Sequence, residues 1–105
     1  MHLTVLSVPG CPNAALLEER LAEAIGPRAD VRITRQTISD EEDAARWGMH
    51  GSPTLLVNGT DPFASPGQSA SLSCRLYRHR DGRADGAPSS DQILSAIGAP
   101  GQRPD

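Results

Sequence analysis

A mixed α/β fold of element order β-α-β-α-β-β-α is predicted, and three observations predict it. Short apolar runs of strand character alternate with segments whose apolar residues recur at helical spacing. Turn pairs such as Pro9-Gly10, Gly26-Pro27, Asn58-Gly59 and Asp81-Gly82 close successive segments. No repeat and no linker divides the 105 residues, so one domain over residues 1–98 is expected, followed by a flexible tail over 99–105. The alternation in the first half asks for parallel pairing, and the later hairpin adds antiparallel strands.

The elements follow in order. Leu3, Val5, Leu6 and Val8 read as a buried strand. Pro12 suits a first helical position, and Ala14, Leu17, Leu21, Ala24 and Ile25 share one helix face, with Glu18, Glu19, Arg20 and Glu23 on the other. Val31 and Ile33 alternate with Arg32 and Thr34, giving a second strand to about Ile38. Ser39 with Glu42 has the capping-box spacing and opens a helix over 41–47. Residues 54–57 form the third strand. Residues 61–71 are rich in Pro, Ser and Gly and longer than a hairpin needs. A fourth strand is expected over 72–78, with Leu72, Cys74 and Leu76 on one side and Ser73, Arg75 and Tyr77 on the other. Ser89 with Gln92 caps a last helix carrying Ile93, Leu94 and Ile97.

Composition excludes several function classes. The net charge is −3, every basic residue apart from three histidines is Arg, and no basic surface for nucleic acid is expected. Aromatics make up only 3%, so the core rests on Leu, Ile, Val and Ala. The first ten residues read as a strand without a charged leader or a long apolar stretch, so a cytoplasmic protein with no membrane partner is expected. Two cysteines, at 11 and 74, are too few for a disulfide scaffold or a structural zinc site, and the histidines lack metal-ligand spacing. No metal and no cofactor are expected. If the cysteines act, they act as thiols.

Two segments carry a family resemblance. One is Gly10-Cys11-Pro12-Asn13-Ala14, between the first strand and the first helix. The other is the run from Gly48 through Met49-His50-Gly51-Ser52-Pro53-Thr54 to Asn58-Gly59. In this order the chain resembles the thioredoxin-like family over roughly residues 3–97. The resemblance implies a mixed four-stranded sheet with helices on both faces, a cis-proline at Pro53 opposite a reactive Cys11, and a Ser52 backbone that pairs with an extended substrate. The chain departs from the family's Cys-x-x-Cys pattern at Ala14. An internal resolving thiol is therefore missing from the motif, as in glutaredoxin-like proteins with one active cysteine. Small bacterial chains of this kind are sometimes labelled alkylmercury lyase, yet this chain has no Trp-Cys-x-x-Asp pattern, and its single tryptophan, Trp47, is not beside a cysteine.

The site residues are read accordingly. Cys11 precedes a helix, whose outward N–H groups and positive end stabilise a thiolate. Pro12 and Asn13 flank it as substrate-binding positions, although Asn13 is equally an ordinary first-turn residue. Ser52 and Pro53 are expected to line a groove opposite Cys11. His50 is either a group near the site or, more simply, a solvated loop residue. Cys74, in phase with two leucines, reads most simply as a buried small hydrophobe and otherwise as a second thiol. Arg75, Arg78, Arg80 and Arg83 form a mild basic run suited to an anionic small thiol or to a solubilising edge strand.

Three functions compete on this reading. The first is single-cysteine thiol–disulfide chemistry on a disulfide or low-molecular-weight thiol, by a monomer or weak dimer. The second is soft-metal binding, mercury being the natural example, by Cys11 with or without Cys74. The third is a thioredoxin-fold interaction module without chemistry.

Overall fold

The computed structural model describes residues 1–27, 30–65, 67–79 and 81–98. The expected tail and Arg80 lie outside these residues. A mixed sheet of three strands is the centre of the molecule, in the order β2-β1-β4. Strand β1 (His2–Ser7) runs parallel to β2 (Arg32–Thr37) and antiparallel to β4 (Thr54–Val57), with Val5 opposite both Arg35 and Leu55. The parallel pair is joined by helix α1 (Pro12–Ile25), as a parallel connection requires.

Alternation along β1 and β4 divides the core in two. Leu3, Val5 and Leu55 face Leu17, Leu21 and Ile25 of α1 and Ile93 and Ile97 of helix α3 (Ser90–Ile97). Leu6 and Leu56 face the other way, against Ile38, Met49 and Ala44 of helix α2 (Glu41–Trp47). Helices therefore cover both faces of the sheet. The start of α3 has the complete capping box, with Ser89 Oγ accepting from Gln92 N and Gln92 Oε1 accepting from Ser89 N. At α2 the cap is Asp40, whose carboxylate accepts from Asp43 N at 2.8 Å, and not Ser39. Both residues are of capping type, and only the backbone geometry chooses between them.

The second half departs from expectation. Among the described residues, the main sheet gains no fourth strand. Instead β3 (His50–Ser52) pairs in parallel with β5 (Ser71–Cys74), and β6 (Tyr77–Arg78) pairs with β7 (Ala84–Asp85) in a separate hairpin. The expected strand over 72–78 breaks after Cys74; its burial phase holds at Leu72, which packs against the Leu6 and Met49 cluster, and is inverted from Cys74 on. Arg75 and Tyr77 are buried, Cys74 is exposed, and Leu76 is 72% exposed. The cause is polar: Arg75 and Tyr77 find partners inside that outweigh the apolar claim of Leu76.

Candidate functional site

Strand β1 ends at Ser7, and the chain turns through Pro9 and Gly10 into α1. The φ of +74° at Gly10 and the bond from Cys11 N to Val8 O (3.2 Å) close this turn. Cys11 is the N-cap of α1. Its side chain makes no capping bond, its carbonyl accepts from Ala14 N, and its thiol is free and half-buried. Pro12 takes the first helical position and is exposed. Asn13 lies against Gly86, where an added Cβ would overlap the Asn13 amide.

The turn carrying Cys11 is tied to the segment before β4. Val8 N donates to Ser52 Oγ at 3.0 Å. Ser52 is only 1% exposed, Pro53 is fully buried, and the peptide bond between them is cis. Ser52 and Pro53, expected to line a groove opposite Cys11, lie in the interior, where β5 runs along β3. The close approach needs Gly51: its φ is +117°, and a Cβ there would meet Arg75 Cβ at 2.9 Å and Ser73 O at 3.2 Å.

Beneath β5 lies a polar cluster that the sequence does not announce. Arg75, 6% exposed, donates from Nη1 to Asp61 Oδ2 (2.7 Å) and Thr54 Oγ1 (3.1 Å), and from Nη2 to Phe63 O (2.9 Å). Asp61 Oδ2 also lies 2.8 Å from His50 Nδ1, and Asp61 Oδ1 accepts from Phe63 N. Burial pushes the Asp61 carboxyl upward, but hydrogen bonds from Arg75, His50 and the Phe63 amide, with the charge of Arg75, hold it below the ordinary carboxylate value. His50 is thus half-buried and bonded, not a solvated loop residue. The expected basic run is split in the same way, since Arg75 faces inward while Arg78 and Arg83 stay exposed.

Tyr77 connects this cluster to the thiol turn. Its ring sits under the Arg75 guanidinium at 4.6 Å and forms a T-shaped pair with the Phe63 ring, centroids 5.6 Å apart. Its hydroxyl donates to Pro53 O. Burial raises the Tyr77 pKa well above its ordinary value, and the charge of Arg75 opposes the rise. The phenol therefore stays protonated and remains a donor. The sequence does not single out Asp61 or Tyr77 and reads Arg75 only as part of a basic run, because Asp61 and Phe63, the partners of Arg75, come from the segment over 61–71, whose composition suggests only a loop. The one available signal was that Arg75 and Tyr77 share a strand side.

Cys74 is the second free thiol. It stands opposite Ser52 in the β3–β5 ladder, across an irregularity between the His50 and Ser52 pairs. Ladder partners present their side chains on one face, so Cys74 is placed on the face from which Ser52 Oγ reaches the thiol turn. A groove of about 1080 Å³ lies elsewhere, lined in part by Phe63, Arg78, His79, Gln92 and Leu94, and touches neither cysteine. Among the described residues, no three His, Cys, Asp or Glu side chains form a metal-binding group, and no helix is long and apolar enough to cross a membrane.

Comparison with protein-family models, with curated proteins and with solved structures finds no match to this chain.

Proposed function

We propose that this chain is a thioredoxin-like thiol protein that exchanges disulfides through Cys11. The observation that carries the proposal is the state of that residue. A free, half-buried thiol stands at the N-cap of α1 without spending its sulfur on a capping hydrogen bond, in a turn pinned by Ser52. A parallel β1–β2 pair joined by α1, an antiparallel β4 and helices on both faces also support the thioredoxin-like reading.

In the exchange, the Cys11 thiolate attacks one sulfur of a disulfide. A bond forms between Cys11 Sγ and that sulfur, the original S–S bond breaks, and the other half leaves as a thiolate with the electron pair. The thiolate of an external low-molecular-weight thiol then attacks the substrate-derived sulfur of the mixed disulfide; a new small disulfide forms, the bond to Cys11 Sγ breaks, and Cys11 leaves as thiolate. Cys11 stands at the N-terminal end of α1, and Ser52 acts by holding the turn. The test is intact-mass detection of a mixed disulfide with 2-hydroxyethyl disulfide, mapped by peptide digestion. The adduct is expected on Cys11 and lost in Cys11→Ser; an adduct confined to Cys74 would refute the reading.

A second reading, two-thiolate capture of a soft ion such as Hg²⁺, draws support from the register of Cys74 with Ser52 and the exposure of its thiol. Mercury titration separates the two. One ion bound per chain with both thiols lost together favours capture, and independent loss of each thiol favours exchange.

A further inference from the structure

The segment from Met49 to Pro53 is bound to the turn that carries Cys11, because Val8 N donates to Ser52 Oγ at 3.0 Å, so an extended chain paired along this segment would lie beside that turn. Strand addition needs backbone donors and acceptors that are free along an edge. Here the chain's own residues hold them. Met49 N donates to Ala44 O, and Met49 O accepts from Ser71 N at 3.0 Å. His50 N donates to Thr54 Oγ1, and Thr54 Oγ1 donates in turn to Gly51 O at 2.6 Å. Ser52 O accepts from Arg75 N at 3.1 Å, and Pro53 O accepts from the Tyr77 hydroxyl. Gly51, Ser52 and Pro53 are all buried under this arrangement.

Strand β5 is also fastened at its end. Arg75, the residue after it, is anchored inside by Asp61, Thr54 and Phe63, and Asp61 is itself 3% exposed at its side chain. Opening the edge requires removing a buried guanidinium from a buried carboxylate. Cys11, in the turn that Val8 N ties to Ser52 Oγ, is only partly buried, and its side chain takes part in none of these bonds.

We infer that β5 is a built-in occupant of the β3 edge, so that the thiol site takes low-molecular-weight disulfides and excludes extended polypeptide. This rests on the proposed disulfide exchange at Cys11. The step is the exchange already described, with the small disulfide as the named co-reactant and one small thiolate as the leaving group.

The experiment uses the full chain with Cys74→Ser, so that Cys11 is the single thiol. Two mixed disulfides of thionitrobenzoate are compared, one with 2-mercaptoethanol and one with an extended ten-residue peptide bearing a central cysteine. The rate ratio of small to peptide substrate is measured by released thionitrobenzoate and divided by the same ratio for free 2-mercaptoethanol as attacking thiol. The normalised ratio is expected to exceed about tenfold, the cost of giving up one or two ladder bonds. A value near one, or a preference for the peptide, overturns the inference and leaves exchange at Cys11 standing. Failure of Cys11 to react with either substrate overturns both. Gly51→Ala supplies a second arm, because its Cβ pushes against Arg75 Cβ. If it folds, faster hydrogen exchange at Arg75 N should accompany a normalised ratio that falls toward one. An unchanged ratio with β5 released overturns the inference. The ratio of the Cys74→Ser protein decides alone if Gly51→Ala does not fold.

Discussion

Replacing Asp61 by Asn tests the buried cluster that fastens β5. The exchange keeps shape and one acceptor but removes the charge that faces Arg75. The two side chains are 3% and 6% exposed, so water cannot take over the lost role. Breaking a buried pair by removing one partner costs about 3–5 kcal/mol. Because Asn retains a carbonyl oxygen for one Arg75 bond, the lower end applies, about 3 kcal/mol. A domain of this size has about 5–15 kcal/mol in total. With a urea slope of about 1–3 kcal/mol per molar, the unfolding midpoint falls by about 1–3 M. The companion Asp61→Leu/Arg75→Met removes both charges and should cost less than either charge-deleting single change. The pH dependence has a definite sign. The folded pKa of Asp61 lies below its ordinary 3.8, so its contribution is complete above that value and disappears as pH falls through the lower folded value. In Asp61→Asn this acid-side loss should shrink. A drop of less than about 1 kcal/mol in Asp61→Asn, the size of an exposed pair, would refute the buried anchor.

Three other substitutions probe the neighbourhood. Tyr77→Phe removes the donor to the buried Pro53 carbonyl and should cost about 1–3 kcal/mol in urea unfolding, with slower exchange at Cys11. Gly86→Ala drives a methyl into the Asn13 amide and should cost about 1–3 kcal/mol, much of it recovered when Asn13→Ala is added. Ser89→Ala breaks the α3 capping box and should cost about 1 kcal/mol while leaving the thiol chemistry unchanged, because the side-chain bonds of Ser89 and Gln92 run to each other and to Arg78 O and not to the Cys11 turn.

The parts of this molecule that local chemistry decides were legible in the sequence. Leu17, Leu21 and Ile25 recur at helical spacing and are the buried face of α1, and Ser89 with Gln92 caps α3 as their spacing requires. The run of residues 54–57 between Pro53 and Asn58-Gly59 is strand β4. What local chemistry cannot decide is which distant residue supplies a partner. Cys74, Arg75 and Tyr77 were phased by alternation, and alternation is overruled where Asp61 and Phe63, from a stretch of loop-like composition, meet Arg75 inside. Once Arg75 is anchored, β5 pairs with β3 and the main sheet keeps three strands. The candidate site was legible to the same extent. Cys11 at the head of α1 follows from the motif, whereas the closed edge beside Ser52 follows only from long-range pairing.

The most direct test of the central claim is the rate of iodoacetamide alkylation at each cysteine of the reduced, folded protein at neutral pH. Mass spectrometry assigns the product, and the urea-unfolded chain serves as reference. Cys11 is expected to react faster folded than unfolded despite its partial burial, while exposed Cys74 reacts at close to its unfolded rate. A Cys11 that is slower in the folded protein than in the unfolded chain would contradict the account and leave a fold without thiol chemistry.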